Sequence, residues 1–173
     1  MPEEKEAWSG LDIVATNSLL AASALAAAAG TRPKAKRRLP LLSLSIPTYV
    51  AFMHVYLLRK TLCRNCHYFG ENCCTGWGKL APLWCEKGAE EDFQEGVSLA
   101  AAFWATYPII AVGGILRAFH RDRETARIKH LAVFLLSFLT FNIWHIRRAC
   151  PYCFHREECP KGKVAMKIGR NEQ

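Results

Sequence analysis

Apolar residues in this chain are gathered into four blocks, which are separated by segments rich in charged residues and cysteine. A soluble domain would instead interleave apolar and polar residues at the period of a helix or a strand. The clearest blocks cover residues 39–58 and 97–116. Neither contains a formal charge, and each is long enough to cross the hydrocarbon core of a bilayer as a helix. The pattern predicts an all-α integral membrane protein.

Two further blocks complete a set of four predicted spanning helices. Block 131–146 is strongly apolar but short, and Lys129 and Arg147 at its ends can extend their charged groups to the headgroups, so we expect it to span. Block 11–29 is rich in alanine, and Asp12 opposes insertion. A cleaved signal peptide is disfavoured because the N-terminus is acidic rather than basic. We expect this block to span as well, with an interfacial helix as the alternative.

The order of the blocks indicates an internal repeat. Each copy consists of an apolar helix, a basic connector, a second apolar helix, a basic pair and a cysteine motif, which reads CRNCHYFGENC in the first copy and CPYCFHREEC in the second. Leu11 precedes Cys63 by 52 positions, and Val97 precedes Cys150 by 53. Basic flanks are common to membrane helices, but matched cysteine motifs are not. The pattern therefore predicts two related hairpins.

The repeat divides the chain into two units, residues 1–96 and 97–173, each with two spans followed by a cysteine motif. Because two spans separate the motifs, we expect both motifs in cysteine-rich loops on the same membrane face. This holds whether or not block 11–29 inserts. The short basic connectors favour an outward position for the cysteines, although basic residues beside the motifs nearly cancel that signal.

The net charge of +8 indicates anchoring of helices in a membrane rather than nucleic-acid binding. The basic residues flank the apolar blocks, where Lys and Arg anchor helices to headgroups, and no nucleic-acid-binding motif accompanies them. We therefore expect the lipid bilayer as a partner, location in the cell membrane and no nucleic acid. A protein partner at the cysteine-rich face is a further expectation.

The cysteines carry the candidate chemistry, because two C-x-x-C pairs are typical of metal sites. In a tight turn that spacing lets two sulfur atoms face one metal. A shared site would use both pairs: Cys63, Cys66, Cys150 and Cys153. Alternatively, Cys73 and Cys159 would complete two separate sites, with His67 and His155 as candidate fourth ligands. We expect zinc, iron or an iron–sulfur cluster, with a structural or an electron-transfer role. Cys85 is interpreted as a packing residue.

Thiol–disulfide exchange is the main alternative, and it would make the protein an enzyme. The string Cys-Pro-Tyr-Cys is similar to the glutaredoxin active site, although here it follows a membrane helix. The bundle with cysteines resembles the DsbB and vitamin K epoxide reductase class, which implies dithiols that exchange electrons with a quinone. This chain departs from that class by placing its cysteines after the second and fourth spans. A non-enzymatic membrane assembly or metal-handling factor is a third hypothesis.

His54 and His145 are the candidate cofactor-binding residues, because they are ionisable and lie inside predicted spans near the cysteine motifs. A quinone contact, a proton relay or a pair of haem ligands would each account for them. The alternative, which we favour at this point, is an interfacial position, since His145 follows Trp144 and precedes Arg147.

Overall fold

The computed structural model describes residues 8–33 and 41–171, and the predictions that concern the acidic N-terminus, most of the first basic connector and the last two residues lie outside this part of the chain. The described residues form helices and turns without any strand. The short α-helix Leu58–Thr61 continues the segment that begins with α2 and is not numbered separately. The other α-helices are, in chain order, α1 Gly10–Thr31, α2 Leu41–Ala51, α3 Trp77–Leu80, α4 Phe93–Asp122, α5 Ala126–Trp144 and α6 Pro160–Asn171.

Four helical segments are long and apolar enough to cross a membrane, which confirms the predicted all-α class. They are Gly10–Thr31, Leu41–Asn65, Glu90–Asp122 and Ala126–Tyr152. Each segment includes most or all of one predicted block and extends beyond at least one of its ends. The segments are longer because a helical backbone continues beyond the hydrocarbon, where charged side chains are solvated. Hydropathy therefore marks the apolar centre of each helix but not its ends.

Helix α1, the weakest prediction, is packed inside the bundle. Small side chains let it lie closely along α5. Its buried positions recur every three or four residues and so form one face: Thr16, Leu20, Ser23, Ala24, Ala27 and Thr31. At its C-terminal end, the Arg127 guanidinium donates a hydrogen bond of 2.7 Å to the Gly30 carbonyl. This packing is that of a bundle member rather than of a helix on the bundle surface.

Helices α1 and α4 cross closely at two reciprocal glycine contacts. A Cβ atom on Gly30 would lie 2.8 Å from Ile115 Cγ1, and a Cβ atom on Gly114 would lie 2.9 Å from Thr31 Cγ2. Gly30 of α1 therefore contacts Ile115, which follows Gly114, and Gly114 of α4 contacts Thr31, which follows Gly30. Small residues of this kind let helix backbones approach in a bilayer, where packing rather than water exclusion drives association.

Tyr107 and Ser23 form a buried polar contact between the same two helices, about two turns from the glycine contacts. The Ser23 hydroxyl donates to the Leu20 carbonyl at 2.8 Å and accepts from the Tyr107 hydroxyl at 2.9 Å. We expect Tyr107→Phe to lower the free energy of unfolding by about 1 kcal/mol, because one hydrogen bond is lost in an apolar environment. Tyr49→Phe is the matched control, since that exposed hydroxyl pairs with Thr106. Unfolding in mixed micelles should show a smaller change for the control, and equal effects would contradict the assignment.

The interior and the outer surface of the bundle are both apolar. Aromatic rings of α4 and α5 fill the interior: Phe103, Tyr107, Phe134 and Phe141 are almost completely buried. Large aliphatic side chains cover the outside, for example Leu11, Leu25, Leu44, Ile109, Leu136 and Ile143. An apolar outer surface is unfavourable in water but matches a lipid environment, which agrees with the four spanning helices.

Candidate functional site

Both cysteine motifs begin with the same local backbone. Helices α2 and α5 each pass into π-helical turns, Phe52–Leu57 and His145–Ala149, before the first cysteine of the motif. Each C-x-x-C pair then forms a 3₁₀ turn, in which the N–H of the second cysteine donates to the carbonyl of the first, at 3.3 Å in one motif and 3.4 Å in the other. π-helical turns inside α-helices are frequent at functional sites.

The two motifs contact each other through two equivalent hydrogen bonds. The His67 backbone N–H donates to His155 Nε2 at 3.2 Å, and the Phe154 backbone N–H donates to the Tyr68 hydroxyl at 3.1 Å. When the motifs are aligned on their first cysteines, His67 corresponds to Phe154 and Tyr68 corresponds to His155. The two rings at the centre, His67 and Phe154, are stacked with centroids 4.0 Å apart. The motifs are therefore held together by reciprocal contacts.

Aromatic residues at the start of two long helices support this contact from both sides. Trp8, just before α1, packs edge-on against Tyr68 with ring centroids 5.1 Å apart. Phe93, the first residue of α4, stacks on His155 at 3.7 Å. The Tyr68 ring of the first motif and the His155 ring of the second are thus each covered by an aromatic ring from outside the motifs. These aromatic rings shield the contact between the two motifs from solvent.

The thiols are half-buried, and that of Cys150 is buried, which opposes their ionisation. The pKa of Cys66 is raised to about 12, mainly by burial; the Tyr68 N–H lowers it, and the neighbouring thiols of Cys73 and Cys153 contribute to the rise. Burial also raises the pKa of Cys74 well above its usual value, with added contributions from Cys73, Cys153 and other thiols. These thiols are therefore protonated at neutral pH unless a cation compensates the thiolate charge.

The cysteines of the predicted shared site lie in one region but are not assembled as ligands. The Cys66 thiol interacts electrostatically with the Cys153 thiol. Within each C-x-x-C pair, the two thiols also interact with each other. However, among the described residues no three His, Cys, Asp or Glu side chains converge closely enough to hold a metal ion. Metal binding would therefore require movement of the cysteine side chains.

His155 is occupied by structural contacts and does not fit the predicted role of a fourth ligand. Its Nε2 accepts the His67 N–H, and its Nδ1 lies 3.2 Å from a Glu158 carboxylate oxygen. Burial lowers the pKa of His155, so the ring is neutral, with Nδ1–H donating to Glu158. Both nitrogens are thus engaged. The His67 ring is stacked on Phe154, and its Nδ1 is 3.9 Å from a Glu90 carboxylate oxygen.

The side chains of His54 and His145 are buried within the bundle, and their interfacial depth in a membrane stays a prediction. Their exposed fractions are only 8% and 9%. The His54 ring contacts Phe103 edge-on at 5.1 Å, and its Nδ1 is 3.3 Å from the Val50 carbonyl. The His145 ring lies 4.5 Å from Phe141, and its Nε2 is buried without a hydrogen-bond partner among the described residues.

The ammonium group of Lys161 lies near His145 and near several cysteine thiols. Its Nζ lies 4.6 Å from the centroid of the Trp104 ring and 5.3 Å from that of Phe141. Burial lowers the pKa of Lys161, whereas nearby cysteine thiols, including Cys150, oppose this effect. The aromatic rings and the thiols together provide an environment for a largely desolvated ammonium group.

Sequence reasoning assigned no role to two residues that the structure places in the site. Cys74 follows Cys73 directly, and a pair of adjacent cysteines is a usable signal because neighbouring side chains can face different partners. Lys161 follows the last cysteine, Cys159, in what reads as a basic tail, and no pattern in the sequence distinguishes it from the surrounding lysines.

Comparisons with protein-family models, with curated proteins and with solved structures find no match to this chain.

Proposed function

We propose that this chain is a cell-membrane protein of two repeated hairpins that binds zinc, iron or an iron–sulfur cluster through cysteine thiolates on one membrane face. The observation that carries the proposal is the contact between the two cysteine motifs, made by the hydrogen bonds of His67 and Phe154, which brings their mostly half-buried thiols into one region. Thiolates are the preferred ligands of these metals, and two C-x-x-C pairs provide four of them.

The reciprocal contacts between the motifs support the repeated hairpins. An accidental similarity of two cysteine strings would not place equivalent backbone N–H groups on equivalent partner side chains, as seen for His67 and Phe154. The reciprocal glycine contacts of α1 and α4 support the same relation at a distant point of the bundle. Both sets of contacts fit two units that face each other around one approximate two-fold axis.

The raised pKa values of the thiols favour metal binding over thiol–disulfide exchange. A nucleophilic cysteine needs a lowered pKa, but the pKa values of Cys66 and Cys74 are raised. A divalent metal reverses this balance, because coordination replaces the thiol proton with a stronger positive charge. The bound metal would then tie together two short segments that have little regular structure of their own, which is the usual role of a structural site.

A quinone-linked dithiol oxidoreductase is the second candidate, and the buried histidines favour it. His145 has an unpartnered ring nitrogen among the described residues, and Lys161 and the Trp104 ring lie in the same region. A hydrogen-bond donor and aromatic surfaces of this kind suit a quinone ring. In this case one C-x-x-C pair would reduce the quinone and itself become a disulfide.

Metal and thiol content of the isolated protein test the proposal. We expect protein purified in mild detergent, without added metal or reductant, to contain at least one zinc or iron per chain. The double variant Cys66→Ser/Cys153→Ser should lose most of this metal, because each substitution removes a thiolate from one motif. Ser45→Ala, an exposed substitution in α2, is the control for handling and should retain the metal.

Absence of metal in the wild-type protein would contradict metal binding. If the thiols were then paired, and if an added quinone restored the disulfides after reduction, the oxidoreductase would replace the proposal.

A further inference from the structure

Residues 77–84, which follow the first cysteine motif, expose large apolar side chains outside the four spanning segments. Leu80, Leu83 and Trp84 are exposed, whereas Ala81 on the other side of the same turns is buried. The three exposed residues are three or four positions apart in helical turns, so their side chains share one side. We call residues 77–84 the first surface segment.

Cation–π contacts hold the first surface segment against the end of the second spanning segment. The Arg59 guanidinium carbon lies 4.2 Å from the centroid of the Trp77 ring and 5.6 Å from that of the Trp84 ring. The Cys85 thiol donates to the Arg59 carbonyl at 3.6 Å. Arg59 comes directly after the apolar block 39–58, so the first surface segment lies where the second helix leaves the hydrocarbon.

Helix α6, which follows the second cysteine motif, also has an exposed apolar stripe. It packs on the last turns of the fourth spanning segment and on the turn that follows them, with Ala165 buried. Val164 and Ile168 are exposed and four positions apart. Their stripe lies between the buried side and a basic side that carries the exposed Lys163 and Lys167. This distribution is typical of helices that lie in a membrane surface.

Lys161 fixes the start of α6 beside the spanning helices. Its Nζ lies 4.6 Å from the centroid of the Trp104 ring and 5.3 Å from that of the Phe141 ring. Trp104 belongs to the apolar block 97–116, and Phe141 belongs to the block 131–146. Because one lysine side chain connects α6 to these rings, the helix begins near the end of the hydrocarbon. Each unit thus uses a cation–π contact to fasten the segment after its motif to the spanning helices.

A phospholipid surface is the partner that fits both segments. Tryptophan and lysine beside apolar residues are typical of the level where a span leaves the hydrocarbon. The second spanning segment has the same combination at this end, because Tyr56 is exposed and its hydroxyl accepts a hydrogen bond of 3.1 Å from Lys60 Nζ. The lysines match the negative charge of lipid phosphates. The bilayer that surrounds the spans is therefore within reach of these exposed apolar side chains, which would be unfavourable in water.

We propose that the first surface segment and α6 bind the phospholipid surface and hold the cysteine end of the bundle against the bilayer. The exposed apolar side chains of both segments enter the boundary between headgroups and acyl chains: Leu80, Leu83, Trp84, Val164 and Ile168. Lys79 and Lys167 flank them at the level of the lipid phosphates. This inference rests on insertion of the bundle in a membrane and is independent of metal binding.

Quenching of tryptophan fluorescence by brominated phospholipids tests this contact. The full chain is reconstituted in vesicles of phosphatidylcholine and phosphatidylglycerol, with bromine near the headgroup end of the acyl chains. We expect Ile168→Trp to lose most of the fluorescence that it adds to that of the wild type. Lys163→Trp, on the basic side of the same helix, is the matched control and should lose less. For the first surface segment, Trp84→Phe should be quenched by a smaller fraction than the wild type.

Two controls separate failure of this contact from failure of membrane insertion. Size-exclusion chromatography in detergent checks that each variant remains folded, and flotation of the vesicles after an alkaline wash shows whether the bundle is inserted. If the protein floats but Ile168→Trp is quenched no more than Lys163→Trp, the contact of α6 with lipid is overturned, and a protein partner would cover this surface instead. Equal quenched fractions in the wild type and Trp84→Phe would overturn the contact of the first surface segment. Loss of the protein from the floating vesicles would overturn membrane insertion and this inference together.

Discussion

Phe134→Ala is expected to lower the free energy of unfolding by about 3 kcal/mol, because it removes a large ring from the buried core. The Phe134 ring has an exposed fraction of 0%, and its centroid lies 5.7 Å from the Tyr107 and Phe138 centroids. Truncation leaves a cavity between α4 and α5 that neither lipid nor water can fill. The loss comes mainly from packing, because an unfolded segment that stays in the bilayer remains in an apolar environment.

Leu136→Ala on the same helix is the matched control. Leu136 has an exposed fraction of 71% and lies on the apolar outer surface of α5. Lipid chains can fill the space of the lost methyl groups, so we expect a change of less than about 0.5 kcal/mol. Denaturant unfolding of both variants in mixed micelles measures the difference. A loss at Leu136 as large as that at Phe134 would mean that this surface of α5 is covered by protein rather than lipid.

Gly96→Ala is expected to destabilise the cysteine end of the bundle by about 2 kcal/mol, because a methyl group there has no free space. A Cβ atom on Gly96 would lie 2.5 Å from Leu62 Cα and 2.7 Å from the Thr61 carbonyl oxygen. Both contacts are with backbone, which cannot move aside as a flexible side chain would. The end of the second spanning segment, just before Cys63, would therefore have to shift away from α4.

Gly113→Ala provides the control for this substitution within the same helix. A Cβ atom on Gly113 would have no neighbour within 4 Å, and alanine favours the helical backbone more than glycine does. We expect an unchanged or slightly raised melting temperature for Gly113→Ala and a clear decrease for Gly96→Ala. Equal melting temperatures would show that α4 and the second segment are not in close contact at Gly96.

The number of long helices and their class were predictable, whereas their ends were not. Block 131–146 lies inside the helical segment Ala126–Tyr152, and block 97–116 lies inside Glu90–Asp122. A run of apolar residues reports which part of a helix is favourable in hydrocarbon. The ends depend instead on caps and on contacts with other segments, such as the stacking of Phe93 on His155.

The candidate histidines show a limit of sequence patterns in membrane helices. The aromatic and basic neighbours of His145 predict an interfacial depth, but they do not predict that its ring is buried against Phe141. Hydropathy gives the depth of a residue in a span, and it does not give the direction in which the side chain points around the helix. That direction depends on the neighbouring helices, here including the segment that carries His54.

The sequence by itself determined the all-α class, the four long apolar helices and the clustering of the cysteines at or beyond the ends of the apolar blocks, because hydropathy and residue type are properties of local chain segments. Only the tertiary structure decided which thiols are neighbours. The Cys74 thiol is near enough to interact electrostatically with Cys150 and Cys153 of the second motif as well as with Cys66 and Cys73 of the first, and Cys85 interacts in the same way with Cys63. These proximities result from the docking of the two motifs through His67, His155 and their aromatic neighbours, and contacts between distant segments are set by packing rather than by local pattern.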